Sequence, residues 1–122
     1  MEIETKLKPM ELEECPVKTT VDVVGGKWKP LILYWLNAGP QRFSELRRHI
    51  PDATQKMLTQ QLRELERDGV VRRRVFAEVP PKVEYSFTKH GQSLKPLLKL
   101  MCNWGNRHRR RRGVVKAEPR TD

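Results

Sequence analysis

Cysteine is scarce in this sequence. Cys15 and Cys102 are the two present among 122 residues, too few for a disulfide framework or a set of zinc ligands. The three histidines, His49, His90 and His108, lie far apart and have no ligand partners at regular spacing, so we expect them at the surface. The sequence therefore predicts neither a bound metal nor a cofactor.

Long apolar runs are also missing. No stretch approaches the ~20 apolar residues that a membrane-spanning helix requires. The opening residues, Met-Glu-Ile-Glu-Thr-Lys, are too polar and acidic for a secretory signal peptide. The sequence contains no basic amphipathic helix with a large aromatic face, which is the pattern that indicates binding to a membrane surface. These absences argue against a membrane partner and predict a cytoplasmic location.

Acidic residues are outnumbered by basic ones. The 25 Lys and Arg residues face 15 Asp and Glu residues, which gives a formal net charge of +10. This excess favours a polyanionic partner, of which nucleic acid is the usual one. A chain of 122 residues is long enough for one domain with a modest core. The composition therefore points to a small nucleic-acid-binding domain.

One stretch, the recognition segment (residues 54–67), combines a helical pattern with polar side chains suited to base edges. Thr54 is its predicted N-cap, and Gly69 supplies the left-handed stop that helices often use. Three leucines recur at helical spacing, so one face is expected to be buried. These leucines are Leu58, Leu62 and Leu65.

The other face of the recognition segment carries amide, hydroxyl and cationic side chains. Amide side chains suit adenine, whereas Lys and Arg suit guanine and phosphate. An ordinary solvated helix has the same composition, so the neighbouring segments decide between the two interpretations. The candidate base-reading residues are Gln55, Lys56, Thr59, Gln60 and Arg63.

Helical spacing also occurs before the recognition segment. Val17, Val21 and Val24 suit one face of a helix, although this β-branched run also tolerates a strand. A second helix is predicted from about Lys27, with Pro30 in its first turn, where proline is tolerated. The predicted inner face of that helix consists of Trp28, Leu31, Ile32, Trp35 and Leu36.

The segments on either side of the recognition segment indicate the fold. A short helix at Phe43, Leu46 and Ile50 precedes it closely, which is the helix-turn-helix pattern. Residues 70–76 and 82–88 then predict two strands of a β-hairpin, the wing, with Val83, Tyr85 and Phe87 alternating along one face. The predicted class is α+β, mainly α: a winged helix-turn-helix. Candidate contacts to the DNA backbone are Arg42, Ser44, Arg72, Arg74 and Lys82.

A last helix, from about Thr88, carries another apolar stripe, which a compact winged helix has little core to receive. Pro96 predicts either a kink or a late start of this helix. The stripe is expected to pack on a second subunit, and Cys102 beside it is expected to be buried. The candidate dimer-interface residues are Leu94, Leu97, Leu98, Met101 and Trp104.

Composition divides the chain into three parts. Residues 1–14, with five Glu against two Lys, form an acidic N-terminal arm. Residues 15–106 form the winged helix-turn-helix domain. Residues 107–122 begin with five Arg around one His, and such a run predicts a disordered, solvated tail.

Six motifs occur in one order along the chain: Cys15-Pro16-Val17, Gly25-Gly26-Lys27-Trp28, Arg42-Phe43-Ser44-Glu45-Leu46, Lys56-Met57-Leu58-Thr59, residues 62–69 and residues 79–85. Together they resemble the HxlR family of bacterial winged helix-turn-helix regulators, which is similar to the MarR group. The resemblance covers about Cys15 to Trp104 and does not extend to the acidic arm or the Arg-rich tail. It implies a homodimer that binds a pseudo-palindromic operator and controls transcription, with repression as the expected direction.

The resemblance also implies a role for Cys15, because the cysteine before the proline often senses oxidants or electrophiles in this family and sometimes bridges to the other subunit. Lys18 and the start of a helix lie close by, and both favour a reactive thiolate. A free cysteine is also commonly a small buried hydrophobe, so both interpretations stay open.

Two other functions compete with a DNA-binding regulator. An RNA-binding or ribosome-associated winged helix would suit the charge, although no aromatic stacking sheet is evident. A thiol enzyme is disfavoured, since the sequence has no Cys-x-x-Cys pair and no evident base. We therefore expect a regulator and not an enzyme.

Overall fold

The computed structural model describes residues 15–113 of the chain, which form helices and three short strands. The acidic arm and residues 114–122 lie outside this range. The elements in order are α1 (Pro16–Val24), α2 (Lys29–Leu36), β1 (Gln41–Arg42), α3 (Phe43–His49), α4 (Gln55–Arg67), β2 (Val71–Phe76), β3 (Lys82–Phe87), α5 (Lys89–Gln92) and α6 (Lys95–Arg111).

The core lies between the helices and one face of the sheet. Helix α4 contributes its three predicted leucines, each at most 1% exposed, which confirms the predicted stripe. Helix α2 contributes Ile32, Leu33 and Leu36, and α6 contributes Leu98. The predicted class, a mainly helical winged helix-turn-helix, is confirmed.

The wing is part of a three-stranded antiparallel sheet with the strand order β1-β3-β2. The alternation predicted for β3 is confirmed, because Tyr85 is buried and Val83 and Phe87 pack against the core. Strand β1 was not predicted. It has only two residues, Gln41 and Arg42, which pair with Tyr85 and Glu84 of β3, and two residues are too few to show alternation.

Local signals fix the ends of the main helices. The Thr54 hydroxyl accepts a hydrogen bond from the Met57 N–H at 3.1 Å, which confirms the predicted N-cap of α4. Gly69 has a φ of +78°, the left-handed conformation expected after this helix. Pro30 lies in the first turn of α2, as predicted. Pro96 lies in the first turn of α6, so it marks a late start instead of a kink.

The predicted inner faces of α1 and α2 need correction. Val17 and Val21 are exposed, while Val24 is buried. In α2, Leu31 is exposed and Leu33 is fully buried in its place. Both helices are shorter than three turns, so each apolar pattern fits more than one face equally well.

The Arg-rich run is helical at its start, contrary to the predicted disorder. Helix α6 continues through Arg107 to Arg111. Arginine is a good helix former, and cations in the last turn interact favourably with the carbonyl end of a helix. No proline or positive-φ glycine interrupts the chain between Pro96 and Gly113, where φ is +72°.

Among the described residues, no helix is long and apolar enough to cross a membrane.

Candidate nucleic-acid interface

The five candidate base-reading side chains lie together on one open surface, the α4 reading face. Gln55, Lys56, Thr59, Gln60 and Arg63 line it jointly. Thr59 is half-buried and the other four are exposed. The buried leucines hold the opposite side of α4 against the core, so the reading face points outward.

Two polar contacts orient side chains on this face. Arg47, at the end of α3, donates from Nη1 to Gln55 Oε1 at 3.4 Å, which joins the two helices of the helix-turn-helix. Gln60 donates from Nε2 to Glu64 Oε2 at 3.4 Å, one turn further along α4. Both amide side chains therefore have protein partners before any ligand arrives.

An ion pair between a buried lysine of α2 and a quarter-exposed glutamate of α4 joins the two helices. Lys29 is only 7% exposed, and its Nζ lies 2.6 Å from Glu64 Oε1. The hydrogen bond from Lys29 is the main cause that lowers the pKa of the Glu64 carboxyl; the Gln60 amide adds to this effect and burial opposes it. The sequence pattern did not predict this pair, because Lys29 and Glu64 belong to separate helices.

We expect Glu64→Ala to destabilise the fold by about 2–3 kcal/mol, because it leaves the Lys29 ammonium buried without its carboxylate. Urea denaturation at pH 7 measures the loss. The control is Lys29→Met with Glu64→Leu, which replaces both charges by apolar groups and should recover most of the stability. Equal stability of Glu64→Ala and wild type would contradict the assignment.

The same pair predicts a pH dependence. Folding lowers the Glu64 pKa from its ordinary value of 4.5, so the carboxylate contributes its full stabilisation above that value. The contribution is lost as the pH falls through the lower pKa of the folded state. Between pH 7 and acidic pH, wild type should therefore lose more unfolding free energy than Lys29→Met with Glu64→Leu. Parallel losses in the two proteins would rule out this pair as a source of acid sensitivity.

Four of the candidate backbone contacts share one side of the sheet, opposite the core. Strand alternation and register place them there, and we call this side the outer sheet face. Lys82 lies 3.5 Å from Glu84 and 4.7 Å from the Phe76 ring centroid, so it is already paired. The strand residues of the outer sheet face are Arg42, Arg72, Arg74, Phe76, Lys82, Glu84 and Ser86.

Ser44, the remaining candidate backbone contact, lies at the start of α3. It is exposed and lines a shallow surface together with Arg42 and Lys82. The wing and the first helix of the helix-turn-helix therefore meet at this point. The structure brings the candidate backbone contacts onto adjoining surfaces of β1, α3 and the wing.

The apolar stripe predicted on α6 divides into two faces. Leu98 is 5% exposed and belongs to the core, and Leu94 packs against it. Leu98 is therefore removed from the candidate dimer interface. Leu97 is half-buried. The exposed residues, which we call the α6 patch, are Leu100 at 64%, Met101 at 41% and Trp104 at 59%.

The two cysteines are free thiols in different settings. Cys15 is half-buried at the N-cap of α1. Lys18, three residues further on, pairs with the Asp22 carboxylate at 3.0 Å. Cys102 is exposed, which corrects the predicted burial: it lies beside the core-facing side of α6 and not on it.

No three His, Cys, Asp or Glu side chains converge within residues 15–113 in a way that could hold a metal ion. His49 stacks on Trp35 with 3.9 Å between ring centroids, and His108 stacks on Trp104 at 4.8 Å. These two histidines therefore make aromatic contacts on separate helices.

Helices α3 and α4, with the hairpin that follows, define a winged helix-turn-helix protein. Residues 23–112 match the family model described as HxlR-like helix-turn-helix. The chain belongs to this family, as the motifs in its sequence indicated.

Comparison with known proteins agrees. The chain is 51% identical over 107 residues to YdeP, an HTH-type transcriptional regulator of Bacillus subtilis (strain 168), covering 88% of this chain and 84% of YdeP. It is similar to the structure of the redox regulator HypR in its oxidised form, with 54% identity and a TM-score of 0.73, covering 75% and 95% of the two chains.

A third similar protein is the transcriptional regulator YodB from B. subtilis in its reduced form. The identity is 38%, the TM-score is 0.67, and the match covers 75% of this chain and 91% of YodB. Relatives and family together show that the chain is a transcriptional regulator of the helix-turn-helix type and not an enzyme.

Proposed function

We propose that this regulator binds a pseudo-palindromic operator in double-stranded DNA as a homodimer and represses transcription there. The observation that carries the proposal is the α4 reading face, where amide and cationic side chains stand outward on a helix anchored by buried leucines. Such side chains hydrogen-bond base edges in the major groove. The cations of the outer sheet face then supply contacts to the phosphate backbone, which set orientation.

Binding to RNA is the alternative, and the outer sheet face argues against it. Single-stranded RNA is commonly recognised on sheets that present several aromatic rings for stacking. Phe76 is the one aromatic residue among the strand residues of this face. Its ring is already contacted by Arg74 at 5.0 Å and Lys82 at 4.7 Å. The face therefore suits a phosphate backbone better than unstacked bases.

Gel shifts at matched salt, with duplex DNA from the region upstream of the protein's own gene and with structured RNA, test the proposal. We expect a saturable shift with the duplex that survives competition by unrelated duplex. Footprinting on the same DNA should show two protected half-sites about one turn apart, ~34 Å, or a multiple of it. Equal or tighter binding to the RNA would overturn the proposal. In vitro transcription from the bound promoter should fall as protein is added.

The α6 patch supports the homodimer. Its three side chains are large, apolar and adjacent at helical spacing, and a contiguous exposed apolar patch commonly marks an interaction site. On α1, Val17 and Val21 are exposed as well, at 65% and 53%. A second copy of the chain is the partner that a two-fold operator requires.

We further propose that Cys15 senses oxidants. Support comes from its position at the N-cap of α1, where it is half-buried, and from the similarity to the redox regulator HypR. Cys15→Ser should bind the operator as wild type does but lose the change in binding that diamide causes in wild type, because the substituted side chain cannot be oxidised to a disulfide. Gel shifts before and after diamide measure the response.

Cys102→Ser is the matched control for the redox prediction. It should respond to diamide like wild type, unless the exposed Cys102 thiol is the partner in a bridge between subunits. Non-reducing gels separate these cases, since a bridge doubles the apparent mass and either substitution would then abolish it. Diamide sensitivity that persists unchanged in Cys15→Ser would exclude Cys15 from the response.

A further inference from the structure

The outer sheet face holds one acid among several cations. Glu84 lies on the central strand, β3, and its register partners are Arg42 on β1 and Arg74 on β2. Lys82 lies two residues earlier on the same face, and Arg72 lies diagonally across on β2. Among the strand residues of this face, Glu84 is the single acid.

The Glu84 carboxylate is in contact with the cation closest to the wing turn. Its Oε2 lies 3.5 Å from Lys82 Nζ, and each side chain is about a quarter exposed, at 26% and 25%. The Lys82 ammonium also lies over the Phe76 ring. Because the pair remains open to water, a second anion can reach Lys82, and the Glu84 charge beside it opposes that approach.

We propose that Glu84 is an intramolecular competitor for DNA phosphate and that it limits the affinity of the wing for DNA. The inference rests on the proposed function, in which the outer sheet face contacts the phosphate backbone. A phosphate that approaches Lys82, Arg42 or Arg74 is repelled by the Glu84 charge, and at Lys82 it also competes with Glu84 for the ammonium. Phosphate contacts carry no sequence information directly, so Glu84 weakens binding to every duplex.

A consequence for the occupancy of unrelated DNA follows from this arrangement. Non-specific binding to DNA consists essentially of phosphate contacts, which strengthen as protein cations become available. An acid placed among the wing cations keeps this sequence-independent contribution small. Occupancy of unrelated DNA then stays low, and operator choice depends on the α4 reading face.

The test is Glu84→Gln, which keeps the size of the side chain and an acceptor oxygen but removes the charge. We expect tighter binding to the operator and to unrelated duplex by a similar factor, about two- to fivefold at low salt. One additional phosphate contact should also steepen the log–log salt dependence by about one unit. Titrations at three salt concentrations measure both. Since unfolding can only weaken binding, a gain in affinity cannot come from a damaged fold.

Two further variants locate the effect. Asp22→Asn removes the charge of another acid that is paired with a lysine, on α1 and outside the outer sheet face, and should give a clearly smaller gain. In a Lys82→Gln background, Glu84→Gln should lose much of its effect, because the paired cation is gone. An equal gain from Asp22→Asn, or unchanged or weaker binding by Glu84→Gln, would overturn the inference.

These outcomes separate the inference from the proposed function. If wild type binds duplex DNA with a clear salt dependence and Glu84→Gln gains nothing, only the role of Glu84 fails. If wild type shows no salt-dependent duplex binding, both fail together.

Discussion

Leu100→Asp combined with Trp104→Asp is expected to give folded monomers that bind the full operator ~10²–10⁴-fold more weakly than wild type, as the loss of bivalent binding implies. Both side chains are more than half exposed, so the substitutions leave the core intact. In the proposed dimer they would place charges in an apolar interface. Light scattering measures the mass, and gel shifts on whole and half operators measure the binding.

Two controls sharpen the dimer experiment. Lys99→Asp with Asn106→Asp adds at least as much negative charge on exposed positions of α6 away from the patch, and should stay dimeric. Leu98→Asp places a charge in the core, where the side chain is 5% exposed, and should unfold the protein instead of giving a folded monomer. Wild type that is monomeric at micromolar concentrations would contradict the proposed dimer.

The recognition segment could be predicted because every signal it needs is local. Thr54 and Gly69 mark its ends, and three leucines at helical spacing mark its buried side. The outward position of the five polar residues follows from the same period. For a helix of 13 residues, periodicity determines the inner face nearly uniquely, and both the fold class and the reading face follow.

The division of the α6 stripe was not predictable from periodicity. Leu94 and Leu98 face the core, whereas Leu100, Met101 and Trp104 face outward. The two sets occupy neighbouring sectors around the helix, so α6 is apolar over a wide arc. Which part of that arc faces inward depends on how α6 packs on α2, a contact between segments far apart in the chain.

Ion pairs between different elements of the fold could not be predicted from the sequence either. Lys29 would ordinarily be placed at the surface, but Glu64 of another helix keeps it buried. Lys82 was expected to be available for phosphate, and the register of β3 with its neighbours was needed to place Glu84 among the cations. In both cases the partner is set by tertiary structure, which local patterns do not contain.

The second large effect is expected on the α4 reading face. Gln55→Ala, Lys56→Ala and Gln60→Ala should each change the ranking of operator variants, because a lost bidentate base contact costs ~1–3 kcal/mol and relaxes the preference at one base pair. The two glutamine substitutions remove no charge, so the salt dependence should stay almost unchanged. Titrations on a panel of single-base operator variants at three salt concentrations measure both quantities.

Arg63→Gln is the control that distinguishes base readout from phosphate contact. Arg63 lies a turn beyond Gln60 on the same face, and we expect it to hold a phosphate. Its loss should weaken all duplexes by a similar factor and reduce the log–log salt slope by about one unit, without reordering the operator variants. If the ranking survives all three alanine substitutions, α4 does not read the operator, and base readout must come from another element of the protein.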